Sequence, residues 1–453
     1  MAEKVKNMTQ GKPAGLILSF ALPLMAGNVC QTLYTMVDTA VVGKVVGLDA
    51  LAALGVCDWF VFLMFSLISG MTQGFSIRSA QHFGAGDGAA LKNSVARSCL
   101  LTGVITVLAL AVSQAVMDRV LFLLHTPPGS LPIARTYLRI LFWGMPISAV
   151  YNLISCHLRA VGNSRSSLVA MLTASFVNIA LDILFVGGFS WGVAGAAAAT
   201  LIAQAVACLV CAMALRGIPQ LHLKKADFHR NGQEDRALLK LAAPIALQNA
   251  IISLGGMAVQ AVVDQRGGLF VAGFTATNKL YGLLEMAAIS YGYALTTYVG
   301  QNRGAGEWKR IRQGVASASR MALATALFIT AMMILLGRPI LSLFISGTPE
   351  EYGRVMDIAY KYLTVMASFL FSLYFLYVYR SSLQGLGNTL LPMVSGFVEM
   401  AMRVGTALLL PLLMGDEGLY FVEVSAWVGA AVLLTAGYYR QMRKMEPNKT
   451  AEG

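Results

Sequence analysis

Apolar residues in this chain come in blocks of about 20 or more, separated by short polar breaks, with little strict alternation of apolar and polar positions. A helix of roughly 20 residues crosses a hydrocarbon core of ~30 Å, whereas a membrane β-strand would need alternation over about 10 residues. The pattern therefore predicts about 12 helices, near 15–42, 50–77, 94–117, 136–158, 167–188, 193–215, 238–263, 271–297, 314–337, 356–382, 392–414 and 419–439. Several exceed the minimum length, which permits a tilt or a bend. Pro23 either bends the first helix by removing one of its hydrogen bonds or lies close enough to its start to do no harm. The stretch after Lys4, Lys6 and Lys12 lacks a small-residue cleavage site and runs well past a signal-peptide core, so it is expected to stay as the first span.

Composition agrees with the pattern. The 453 residues are 57% hydrophobic and 12% charged, against roughly 25% charged for a soluble protein. The net charge of +12 would suit an anionic partner, but its distribution points elsewhere. Lys and Arg gather in alternate polar segments: the N-terminus, 78–97, Arg159 with Arg165, 216–240, 303–312, and a tail with Arg440, Arg443, Lys444 and Lys449. The intervening loops hold few, among them Lys44, Arg119, Arg266 and Arg338, so the positive-inside rule predicts a multi-pass protein of the cell membrane with both termini cytoplasmic. No basic face is interleaved with stacking aromatics, and no nucleic-acid partner is expected. All six cysteines fall inside apolar spans, where packing is the expected role; Cys208 and Cys211 have metal-like spacing but no second pair nearby.

The chain repeats itself. Gln81-His82-Phe83-Gly84-Ala85-Gly86-Asp87 is echoed by Gln301-Asn302-Arg303-Gly304-Ala305-Gly306-Glu307. Pro23 with Asn28 is echoed by Pro244 with Asn249, and Leu158-Arg159-Ala160-Val161-Gly162-Asn163-Ser164 by Leu383-Gln384-Gly385-Leu386-Gly387-Asn388-Thr389. The offset stays between 220 and 225 residues (301 − 81, 244 − 23, 388 − 163). Six spans in each copy give two bundles entering from the same face, an arrangement suited to alternating access at a cleft between them. The expected organisation is an all-α integral membrane protein with two pseudo-symmetric six-helix bundles around a central cleft: an N-terminal lobe over 1–215, a cytoplasmic connector over 216–236 and a C-terminal lobe over 237–453. The Gly-Ala-Gly turns lack the Lys-Ser/Thr of a nucleotide-binding loop, which argues against ATP drive.

Asp38, near the end of the first span, and Asp182, in Asn-Ile-Ala-Leu-Asp-Ile-Leu-Phe-Val, are ionisable groups at membrane depth and therefore the leading functional candidates. With Pro23-Leu24-Met25, Tyr34-Thr35-Met36-Val37-Asp38-Thr39, Val42-Gly43, Ala52-Ala53-Leu54-Gly55, Asn178, Asp182, Gly195-Ala196-Ala197-Ala198-Ala199-Thr200 and the repeated landmarks above, nearly the whole chain resembles the MATE family, the multidrug and toxic compound extrusion transporters. The resemblance implies an antiporter exporting organic cations and other amphipathic compounds in exchange for H⁺ or Na⁺. It also implies a cation site at Asp38, Asn178, Asp182 and Thr200. Asn178 and Asp182, four apart, share a helical face, and their oxygens with that of Thr200 are hard ligands for Na⁺ or links in a proton relay. No cofactor is expected beyond the coupling ion.

The second copy has no counterpart to these acids, since Val259 and Ala407 occupy the equivalent positions. Its intramembrane charges are Lys279, Glu285, Arg380, Glu399 and Arg403. Glu399 and Arg403, four apart, are expected to form an ion pair along one helix, structural or switching. Glu285, with Tyr34, Tyr281 and Tyr291, is the candidate for contacting a flat cationic substrate. Partners are thus small amphipathic or cationic molecules and membrane lipid, with the protein a monomer. A lipid-linked oligosaccharide flippase is the alternative; it would favour a strongly cationic cavity. An enzyme is not expected, because no nucleophile, base and oxyanion arrangement appears in the polar segments.

Overall fold

The structure, a computed structural model, describes residues 5–123, 126, 128–345 and 348–445, so Lys4 and Lys449 of the basic segments lie outside the described residues. It is all α-helical among those residues: α1 Pro13–Val45, α2 Leu48–Gly84, α3 Gly88–Leu123, α4 Leu131–Trp143, α5 Met145–Ala160, α6 Arg165–Asp182, α7 Gly192–Leu215, α8 Gly232–Val263, α9 Gly268–Gly304, α10 Trp308–Leu341, α11 Pro349–Ser368, α12 Leu370–Gly385, α13 Leu390–Leu409, α14 Pro411–Met414 and α15 Val422–Met445. Eight segments are long and apolar enough to cross a membrane, and counting two bent pairs raises this to ten. The bent pairs are α4 with α5, at 46°, and α11 with α12, at 48°. Twelve spans were expected; α9, which carries Lys279 and Glu285, is not among the ten, and the Leu390–Met445 stretch, counted once, holds both α13 and α15.

Burial is inverted relative to a water-soluble helix. On α3, Leu100, Val104, Val107 and Leu108 are 45–66% exposed while Ser94, Ser98, Thr102 and Thr106 are buried. Lipid solvates the apolar face, and small polar side chains let helices approach one another.

Packing divides the chain into two units, residues up to Gln10 with Ser19–Ala250, and Gly11–Leu18 with Ile251–Gly453. The division falls inside α8 rather than in the 216–236 connector. The physical reason lies in the first unit, where Arg78 and His82 of α2 bond Glu234, Arg97 of α3 bonds Asp235 at 2.5 and 2.6 Å, and Asn93 donates to the Asp227 and His229 carbonyls. Further along α8, Ala242 and Ala246 press against Gly74 and Gly70 of α2, and Asn249 donates to the Ser66 carbonyl.

The repeat is visible in the backbone. Left-handed glycines recur in matched turns, Gly47 with Gly267, Gly86 with Gly306 and Gly162 with Gly387. Each copy has one bent pair, and each opens on a long helix with an internal proline, Pro23 in α1 and Pro244 in α8. Because α1 begins at Pro13, Pro23 lies ten residues inside the helix, where the missing N–H costs a bond.

Candidate functional site

α1 and α6 run in the same direction in the alternating helices of the first unit and touch at a tight point. A Cβ on Gly27 would sit 2.8 Å from the Met171 sulfur. Eleven residues further along each helix (38 − 27 and 182 − 171) come Asp38 and Asp182, about 16 Å from that contact. Four residues beyond the acids, Val42 and Val186 join one core cluster. Equal spacing from the Gly27–Met171 contact puts both carboxylates at the same level along the two helices.

Asp182 and Asn178 are 0% exposed. Neither Asp182 oxygen and neither polar atom of the Asn178 amide has a hydrogen-bond partner, and Oδ1 of the half-buried Asp38 is likewise unpartnered. Buried polar atoms are almost always satisfied in folded proteins. Five such atoms gathered on one stretch of α1 and α6 make it the candidate site. Immediately after Asp182 the helix widens into a π-helical segment, Ile183–Gly188, a geometry frequent at functional sites. Gly195 of α7 lets that helix approach it, since a Cβ there would lie 3.1 Å from the Phe185 and Trp191 side chains.

The other expected members are placed less directly. Thr200 is half-buried on α7, which packs against α6. Tyr34, one turn before Asp38, is half-buried and lies within the field of both acids. Two residues that the motifs did not indicate lie near the site without belonging to it. Tyr137 of α4 is buried and feels the charges of Asp38, Asp58 and Asp182, while Asp58 of α2 is exposed and interacts with Asp38. Asp58 could have been found by the same criterion as Asp38, an acid inside an apolar span.

In the second unit the charges are paired differently from expectation. Glu399 accepts from Arg380, and Arg403 donates to Glu423 at 2.8 and 3.1 Å, so the two residues four apart on α13 each bond a different helix. Glu285 accepts a 2.9 Å bond from the Tyr377 hydroxyl, and the Arg380 guanidinium sits 5.6 Å over the Tyr377 ring. Tyr281 stacks on Trp427 at 5.4 Å. Tyr291 is 3% exposed and its hydroxyl lies 3.1 Å from that of Thr325 on α10. A cavity of about 300 Å³ in this unit is lined by Lys279, Thr275 and apolar side chains.

The chain is 30% identical over 370 residues to the probable multidrug resistance protein YpnP of Bacillus subtilis, covering 80% of this chain and 82% of the relative. It is 25% identical to an FAD transporter of Shewanella oneidensis over 78% of this chain and 80% of that protein. A solved outward-facing structure of a multidrug resistance MATE family transporter superposes with a TM-score of 0.90 at 23% identity, covering 98% of both chains. The MatE family model matches residues 23–184 and 244–409, one stretch in each copy of the repeat. With the family model on both copies and a relative of that similarity along most of its length, the chain belongs to the MatE family of multi-pass membrane transporters.

Proposed function

We propose that this protein is a secondary active antiporter that exports amphipathic, cationic compounds, drugs among them, in exchange for H⁺ or Na⁺ by alternating access. One observation carries the proposal: fully buried Asp182 and Asn178 have no partner for any side-chain polar atom and lie beside a second acid, Asp38. A carboxylate in such a place is costly unless it is neutralised, and a proton or a small cation does so. Asp38, Asn178, Asp182 and Thr200 offer only oxygen atoms and one amide nitrogen, a hard set that fits Na⁺ as well as a proton. Filling the site favours one arrangement of the transporter and substrate favours the other, each by its differential affinity.

The multidrug name of the YpnP relative supports drug export, and the distribution of Lys and Arg supports cytoplasmic termini in a plasma-membrane protein. Glu285 and the stacked Tyr281 are the substrate-facing candidates of the second unit. A second reading, an anionic substrate, is favoured by exposed Lys279 in its cavity and by the relative named an FAD transporter, FAD being a pyrophosphate.

The test is export of ethidium from proteoliposomes under an imposed pH gradient and, separately, a Na⁺ gradient. Asp38→Asn and Asp182→Asn are expected to abolish gradient-driven export under whichever gradient drives the wild type. Wild-type rates in both variants would remove the coupling site. Flavin nucleotide export without ethidium export would select the anionic reading.

A further inference from the structure

We infer that Asp58 is the outer carboxylate of a cation-access route, receiving the coupling cation from water and passing it by way of Asp38 to the buried Asp182–Asn178 pair. The inference deepens the antiporter reading above and rests on it.

The placement comes from packing. Asp58 follows Cys57, whose thiol lies 3.8 Å from the Ala134 carbonyl of α4, one turn before Tyr137. Cys57, Leu54, Ala134 and Tyr137 belong to the same core cluster as Val42 and Val186, the residues one turn beyond Asp38 and Asp182. Three acids on three helices thus each lie within one turn of the same apolar cluster. Helices α3 and α5 add Met117, Leu121, Met145 and Ala149 to the cluster, and beside it Asp118 of α3 pairs with Arg135 of α4 at 2.9 Å. The titratable and charged groups on the helices around this cluster are Cys57 with Asp58 on α2, Asp38 and Tyr34 on α1, Arg135 and Tyr137 on α4, Asp118 on α3 and Asp182 on α6.

Burial is graded across the three acids: Asp58 is exposed, Asp38 half-buried and Asp182 wholly enclosed. An exposed carboxylate within an apolar span faces water rather than lipid, because a charge in hydrocarbon is far more costly. Among the described residues no three His, Cys, Asp or Glu side chains are grouped closely enough to hold one metal ion together. In this proposal the acids act as successive stations rather than as one cage. Asp182 and Asn178, whose polar atoms are all unpartnered, are the terminus that requires a cation. A negative charge at the mouth raises the local cation concentration and the rate of arrival without belonging to the final site.

The experiment uses the full-length protein in proteoliposomes and measures ethidium export against the external concentration of the driving cation, H⁺ or Na⁺, for Asp58→Asn, Asp58→Glu and Asp182→Asn. Asp58→Asn is expected to raise the half-saturating cation concentration roughly three- to tenfold, the effect of removing one charge near the route, with the maximal rate unchanged. Asp58→Glu should restore the wild-type value. High salt should shrink the difference, since a charge facing water is screened. An unchanged half-saturation in Asp58→Asn, with Asp182→Asn inactive, overturns the role of Asp58 and leaves the coupling site standing. Wild-type export in Asp182→Asn overturns both. Should Asp58→Asn not elute as a monodisperse protein, Asp58→Ser carries the same expectation.

Discussion

The crossing of α2 and α8 in the first unit allows a quantitative perturbation, Gly74→Ala. A Cβ at Gly74 would stand 2.3 Å from the Ala242 Cα and 2.8 Å from its nitrogen and Cβ, whereas ordinary contact begins at 3.4 Å. The obstacle is backbone, which no rotamer change can move. The two helices must separate by roughly 1 Å (3.4 − 2.3), and Gly70 against Ala246, at 2.7 Å, would loosen with them. Overpacking of this kind costs about 1–3 kcal/mol, which in a unit of this size lowers the thermal midpoint by roughly 3–10 °C. Gly103→Ala is the control. Gly103 is helical and exposed with nothing within 4 Å of its built Cβ, so the alanine should stabilise by about 0.5–1 kcal/mol through helix propensity alone. Thermal unfolding of the detergent-solubilised variants, side by side, gives the answer. Equal midpoints for the two alanine variants would refute the close approach of α2 and α8.

Two further substitutions test the polar network. Arg380→Met leaves Glu399, 3% exposed, as an unpaired buried charge; it should cost about 3–5 kcal/mol, most of which Arg380→Met/Glu399→Gln recovers, and thermal unfolding of single and double variants would deny the pairing if both fell equally. Arg97→Gln removes both bonds to Asp235, at 2.5 and 2.6 Å, and should loosen the connector by about 1.5–3 kcal/mol. Limited trypsin cleavage within 216–236 is then expected to accelerate several-fold, and an unchanged cleavage rate would show that this pair does not hold the connector in place.

The helical class and the duplication were legible in sequence because each depends on local or periodic information. A run of apolar residues must be helical to satisfy its backbone in lipid, whatever its neighbours do. The repeated Gly86 and Gly306 turns carry the same chain reversal for the same local reason, a positive φ that glycine adopts without strain. Asp38 and Asp182 stood out in the sequence as charges where charges are costly, which is what makes them candidates. What only the tertiary structure decided is which side chains meet. The register of α1 against α6 through Gly27 and Met171, the arrival of Asp58 and Tyr137 beside the two acids, and the pairing of Glu399 with Arg380 and Arg403 with Glu423 all join residues distant along the chain. Spacing within one helix says which face a residue occupies, but not which helix faces it. That is why an i to i+4 pair on α13 was the natural expectation, and why the helices packed against it set the partners instead.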